Sequence, residues 1–279
     1  MWELSQEEGK VVRAVQYNFM SAANTPVILA LDFDGVVCDG LKEYFLVAWR
    51  TYCQVWSVNQ TPDPDLAAKF YQLRPVIEMG WEMPVLIKAL VDGVESATIL
   101  SDWEAINHGI IQQYHLDSTK VSSTLDKQRD EWITQDLDEW LSLHEFYPGV
   151  TEKIKRVLKS AVQLYIITTK EKRFVQQLLQ KQGVELPQSF IFGKESKRPK
   201  YEILQELIQK ANISPESLWF VEDRLKTLQL VQQAYLAGVR LYLADWGYNT
   251  PAERETVKND ASIHLLSLSQ MDSDFADWG

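Results

Sequence analysis

The chain is poor in cysteine and in positive charge. Its two cysteines, Cys38 and Cys53, are too few for a disulfide framework and lack the spaced Cys or His partners of a zinc site, so a reducing, cytoplasmic setting is expected. With 28 Lys and Arg against 39 Asp and Glu, the net charge of -11 leaves no broad basic surface. That excludes charge-driven binding to nucleic acid or to an anionic membrane, and any phosphate bound here needs local positive charge. Residues 1–24 carry Glu3, Glu7, Glu8, Lys10 and Arg13 and hold no apolar stretch for secretion or membrane spanning; they read as a surface helix or arm. No internal repeat and no low-complexity segment is present. His108, His115, His144 and His264 are too scattered to suggest a metal cluster.

What is there is enough apolar residue to build a full core, 46% of 279 residues. Val27 to Leu31 is a continuous apolar run that stops at acidic residues, the pattern of a strand buried on both faces. Similar short runs recur at Val162 to Thr168, Phe190 to Phe192, Leu218 to Val221 and Val239 to Ala244. Helical patterns separate them, at Lys172 to Gln182 and Lys200 to Ala211. This alternation predicts an α/β fold with a central parallel sheet, in which ligands bind beyond the carboxyl ends of the strands.

Between the first and second strands lie roughly a hundred residues, where a crossover needs only about a dozen. An inserted helical domain is therefore expected over residues 40–145, dividing a sheet domain of residues 25–39 and 146–279. The insert spaces its apolar residues as amphipathic helices do, over Leu41 to Trp56, Asp65 to Leu73, Met83 to Val91 and Thr124 to Leu143. Its Trp49, Trp56, Trp81, Trp103, Trp132 and Trp140 read mostly as core. The Tyr147-Pro-Gly149 turn marks re-entry into the sheet domain, followed by a helix over Val150 to Leu158.

The most informative string is Leu31-Asp-Phe-Asp-Gly-Val-Val-Cys-Asp39. It delivers two carboxylates from a buried strand into the following loop, and strand alternation points Asp32 and Asp34 in a similar direction. Two carboxylates so close invite a hard divalent cation such as magnesium. Three later segments end in chemistry-bearing residues: Leu164-Tyr-Ile-Ile-Thr-Thr-Lys170, Gly193-Lys-Glu-Ser-Lys-Arg-Pro-Lys-Tyr201 and Leu218-Trp-Phe-Val-Glu-Asp-Arg224. Cys38, beside the acidic loop, reads as a small packing residue.

Asp32-Phe-Asp-Gly-Val resembles the first motif of the haloacid dehalogenase superfamily, and the three later segments follow in that family's order. Thr168 matches the second-motif threonine, and Thr168-Thr-Lys resembles the Thr-Asn-Lys form of phosphoglycolate-phosphatase-like members, with Thr169 in place of Asn. The third-motif lysine falls on Lys200 or on Lys197. Asp223 matches the final metal-binding aspartate; where one common form carries a later acid this chain has Thr227, and Glu222 is the alternative second acid. The Tyr147 turn and Trp246-Gly-Tyr248 also look closest to that branch, which carries a helical cap where this chain has its insert.

The resemblance implies a Rossmann-like core and a magnesium-dependent phosphatase acting on a small phosphorylated metabolite. Asp32 would be nucleophile and metal ligand, Asp34 general acid and base with its main-chain carbonyl on the metal, and Asp223 a further ligand. Thr168 and Lys200 would clamp the phosphoryl group, and Thr169, Lys197 and Glu222 are further candidates around the substrate. In the insert, Leu73-Arg-Pro-Val-Ile-Glu-Met-Gly-Trp-Glu82 is the candidate contact segment, with Arg74 facing a substrate carboxylate or phosphate. Asp34 favours phosphoryl chemistry over dehalogenation, since halide departure needs no proton. A phosphomutase on the same scaffold and an inactive binding module are the competing readings.

Overall fold

The computed structural model describes residues 25–234 and 236–279, so the arm expected over residues 1–24 lies outside it. The strands in chain order are β1 (Ile28–Leu31), β2 (Cys38–Asp39), β3 (Glu145–Phe146), β4 (Gln163–Ile167), β5 (Ile191–Phe192), β6 (Leu218–Glu222), β7 (Arg240–Ala244) and β8 (Ile263–Leu266). Among the described residues, one six-stranded sheet runs in the order β5-β4-β1-β6-β7-β8, with every pairing parallel. β1 sits inside it, with all four residues fully buried. Isolation from water on both faces explains its unbroken apolar sequence.

Helices connect the strands, three of them as the apolar spacing predicts: Val150–Leu158 before β4, Lys172–Lys181 before β5 and Lys200–Ala211 before β6; a further helix, Leu225–Gln233, precedes β7. Ile203, Leu204 and Leu207 of one helix and Leu225, Leu228 and Val231 of another close over Ile28, Ala30, Phe220 and Leu241 in a common core. Close-packed apolar burial of this kind is the main favourable term in the fold. A second cluster of Trp219, Tyr242, Phe275 and Trp278 has ring centroids 5.2–5.7 Å apart.

The chain divides by its contacts into two compact units. One holds the described residues up to Val37 with Tyr147–Gly247 and Ala252–Gly279; the other holds Cys38–Phe146 with Tyr248–Pro251. The second unit includes the antiparallel pair β2–β3 and the helices Leu41–Val55, Leu66–Leu73, Glu82–Val91, Ser96–Gln113, Ser118–Gln135 and Leu137–Ser142. Its core includes Phe45, Phe70, Leu73, Leu86, Ile87 and Tyr248. Of its tryptophans, Trp49, Trp103, Trp132 and Trp140 are buried, whereas Trp56 and Trp81 are half-buried. Glu43 lies fully buried on the first helix, where Arg129 Nε donates to its Oε1 at 2.8 Å and Trp140 Nε1 donates to the same oxygen at 3.2 Å. A buried carboxylate needs such partners, because without them its desolvation costs several kcal/mol, on the order of the protein's whole stability.

Two local differences from the sequence pattern have clear causes. The single helix expected over Thr124 to Leu143 is two, broken at Asp136, whose backbone leaves the helical region (φ -151°, ψ 86°) and whose side chain accepts from Glu139 N at 2.8 Å as the cap of the second. The helix Ser96–Gln113 buries only Ile99, Trp103 and Ile110 and is interrupted at Asp102 (φ -148°, ψ 47°), so its apolar period is weak. Among the described residues no helix is long and apolar enough to cross a membrane.

Candidate active site

Register alone brings the acidic residues together. β1 and β6 are parallel neighbours with Leu31 opposite Val221, so the next residues out, Asp32 and Glu222, leave the sheet side by side with Asp223 following. Asp32 N donates to Val221 O at 2.9 Å, extending the ladder one step beyond the strand. Asp32, Glu222 and Asp223 are all buried, and each offers a carboxylate oxygen within 4.8 Å of the others.

Lys200 is the first residue of the helix Lys200–Ala211, entered from Pro199. Its Nζ lies 2.7 Å from Asp32 Oδ1 and 2.6 Å from Glu222 Oε2, forming ion pairs with both. Glu222 Oε1 also accepts from Arg224 N at 3.1 Å. Burial works against the charge of Lys200, but the facing carboxylates of Asp32 and Glu222 outweigh it and hold the ammonium above the ordinary lysine range.

Burial likewise pushes the Asp32 carboxyl up to about 7; Lys200 opposes the rise and Glu222 adds to it. The Glu222 carboxyl is also raised to about 7, by burial first and by the Asp223 charge, again against Lys200. Lys200 opposes both rises without cancelling the effect of burial. Three converging buried carboxylate oxygens are a donor set that a hard divalent cation fits.

Thr168 ends β4 on the other side of β1; its N donates to Phe192 O at 2.9 Å and its Oγ1 accepts from Lys170 N at 3.1 Å. It is buried, while Thr169 beside it is exposed. Asp34 lies in the loop after β1, with both carboxylate oxygens facing the Lys170 ammonium at 2.9 and 3.3 Å. Lys197 is exposed at a left-handed turn, φ 50°, three residues before Lys200. Arg74 belongs to the second unit, where its Nη1 donates to Ile77 O at 3.1 Å and its guanidinium lies 5.2 Å from the ring centre of Tyr44 and 4.8 Å from that of Tyr248.

Two contributors stand in motifs quoted from the sequence but have no role assigned there. Lys170 closes the Thr168-Thr-Lys string, and its pairing with Asp34 spans two neighbouring strands. Trp246, just past β7, donates from Nε1 to Val36 O at 3.1 Å, bracing the loop that carries the aspartate pair. Their only sequence signal is position, a lysine and a tryptophan just past buried strands.

A parallel sheet with an aspartate pair after its first strand, a hydroxyl, a lysine and an acidic strand end defines a class, and comparison with known proteins agrees. The family model described as haloacid dehalogenase-like hydrolase matches residues 101–241, just over half of the chain, a stretch that contains Thr168, Lys200 and Asp223. The chain belongs to the haloacid dehalogenase-like hydrolase family.

Among its relatives, a phosphoglycolate phosphatase of Pseudomonas putida is 28% identical over 192 residues, covering 67% of this chain and 65% of that protein. Phosphoglycolate phosphatase 1 of Pseudomonas aeruginosa is 32% identical over 111 residues, covering 39% of this chain and 40% of that protein. The chain thus spans less than two thirds of the length of either relative. Among solved structures, a haloacid dehalogenase-like family protein from Streptococcus pneumoniae shares the fold with a TM-score of 0.55 at 13% identity, covering 89% of this chain and 96% of that one.

Proposed function

We propose that the protein is a cytosolic phosphatase that hydrolyses a small phosphorylated metabolite through an aspartyl phosphate on Asp32. The observation that carries this reading is the Lys200 ammonium shared between Asp32, at 2.7 Å, and Glu222, at 2.6 Å, beside Asp223 at the carboxyl edge of the sheet. A nucleophile, its charge partner and a cation-binding carboxylate set then lie in one buried place.

In this reading Asp32 attacks phosphorus. The bond from phosphorus to the ester oxygen breaks as the bond to the carboxylate forms, and Asp34 gives its proton to the departing oxygen. Water then attacks the aspartyl phosphate, Asp34 takes its proton, and Asp32 is released. Lys200 and the Thr168 hydroxyl bind the phosphoryl oxygens as charge gathers on them.

Magnesium is the expected ion, held by Asp32, Asp223 and the main-chain carbonyl of Asp34 with Glu222 alongside. When bound, it polarises a phosphoryl oxygen and offsets the negative charge of the cluster. Thr169, exposed beside Thr168, is a substrate contact, and Lys197, exposed three residues before Lys200, is the second candidate for the lysine that meets the substrate. The second unit acts as the cap that sets specificity, with Arg74 as its contact to a second anionic group of the substrate.

The relatives' names make 2-phosphoglycolate the first ester to test. A panel of phosphorylated metabolites is assayed for phosphate release with magnesium and with chelator. Magnesium-dependent release from at least one ester is expected. Folded protein that releases phosphate from none of them would overturn the reading.

A further inference from the structure

Lys170 stands where the side chain of Asp34 is open to adjustment. The last torsion of an aspartate, between tetrahedral and planar carbon, is broad, so the plane of an isolated carboxyl group is poorly defined. The Lys170 ammonium contacts both oxygens of Asp34, at 2.9 and 3.3 Å, and both side chains are largely shielded from solvent, 9% and 14% exposed. The ammonium is a point charge, so this contact restrains where the carboxyl group sits and which way it faces, tying it to the strand that delivers Lys170.

Lys170 is itself delivered from a pinned turn. Its N donates to Thr168 Oγ1 at 3.1 Å, and its O accepts from Lys194 N at 2.9 Å. The turn packs against Gly193, where a Cβ would fall 2.8 Å from Lys170 O and 2.6 Å from Lys172 N; only a residue without a side chain permits that approach. The ammonium therefore starts from a main chain anchored to the same threonine that ends β4.

We propose that Lys170 is a positioning residue that fixes the carboxyl group of Asp34 for proton transfer and acts on the reaction only through Asp34. It rests on the assignment of Asp34 as acid and base. Proton transfer to a leaving oxygen requires the donor within hydrogen-bond reach and correctly turned, so a freed Asp34 transfers poorly even when its chemistry is intact. The cost falls on substrates that need the proton. An alkoxide leaving group needs it, whereas a nitrophenolate departs with little help.

The test compares kcat/KM for an alkyl phosphate and for 4-nitrophenyl phosphate in wild type, Lys170→Met, Asp34→Asn and the double variant. Lys170→Met is expected to lower kcat/KM for the alkyl ester at least about tenfold more than for the aryl ester, within the range general acid catalysis supplies. On the aryl ester it is expected to add less than about twofold once Asp34 is Asn, the mark of two residues acting as one unit. Lys170→Arg, which keeps a two-oxygen donor, is expected to restore most of the alkyl rate.

Equal loss on both esters, or a full additional loss in the Asp34→Asn background, would overturn the proposal and make Lys170 a direct phosphoryl contact. Circular dichroism checks folding; if Lys170→Met does not fold, Lys170→Gln takes its place with the same expectation. Phosphate release that wild type shows and Asp32→Asn lacks tests the proposed function separately. A wild type without turnover overturns both readings, and turnover with additive losses overturns this one alone.

Discussion

Gly247 packs directly against Asp223: a Cβ on Gly247 would fall 2.3 Å from the Asp223 Cβ, and 2.5 Å from the carbonyl oxygen of Gly35. The chain leaving β7 thus presses together the acidic end of β6 and the loop after β1, with Trp246 Nε1 bonded to Val36 O on the same side. Space for this approach exists only while residue 247 has no side chain.

Gly247→Ala is accordingly expected to displace Asp223 and weaken cation binding. Residues that support a metal ligand without touching the ion commonly contribute about 10–100-fold in affinity. Calorimetric titration with magnesium checks this directly. A loss of that size is expected while the protein stays folded, and unchanged affinity would show that Gly247 does not set the position of Asp223.

The raised carboxyls of Asp32 and Glu222 predict a pH-dependent stability in chelator. Burial pushes both carboxyls up to about 7 in the folded protein, well above the ordinary carboxylate range. The folded state therefore binds protons that the unfolded chain releases over this window, so the contribution is present below the unfolded values and is lost as pH rises through about 7. Magnesium binds the ionised carboxylates, and the Tm gained on adding it is expected to grow from about pH 5 to about pH 8. Thermal melts in buffers across that range, with magnesium or with chelator, measure the gain. A gain independent of pH would contradict the carboxylate assignment.

Much of the sheet was legible because β1, β6 and most of β4 and β7 are buried, and each carries an unbroken apolar run: Ile28 to Leu31, Leu164 to Ile167, Leu218 to Val221 and Leu241 to Ala244. The acids and the threonine at the ends of β1, β4 and β6 follow from where each apolar run stops. β8 was missed because His264 is exposed and Leu265 half-buried within it, leaving only two buried positions in four. The pairing of Lys170 with Asp34 was illegible for another reason: the partners are 136 residues apart and meet only through the β1–β4 register. Likewise nothing near Tyr248 signals that its hydroxyl donates to Asp39 Oδ1 at 2.8 Å, accepts from Gly40 N at 2.9 Å and so joins the second unit.

Within that second unit, Arg129→Met is expected to cost about 3–5 kcal/mol, because Glu43 is then left buried without its cation. The double variant Glu43→Leu with Arg129→Met is expected to recover most of that loss, since it removes both charges from the same buried place. Urea denaturation of the single and double variants measures the difference. A single variant as stable as wild type would show that the ion pair contributes little.

The most direct test of the account lies on Asp32. Protein mixed with a phosphate ester that it turns over in the presence of magnesium is quenched in acid, and its peptides are mapped by mass spectrometry. A phosphoryl group on the peptide carrying Asp32 is expected, and neither adduct nor phosphate release from Asp32→Asn. Continued turnover by Asp32→Asn would contradict it.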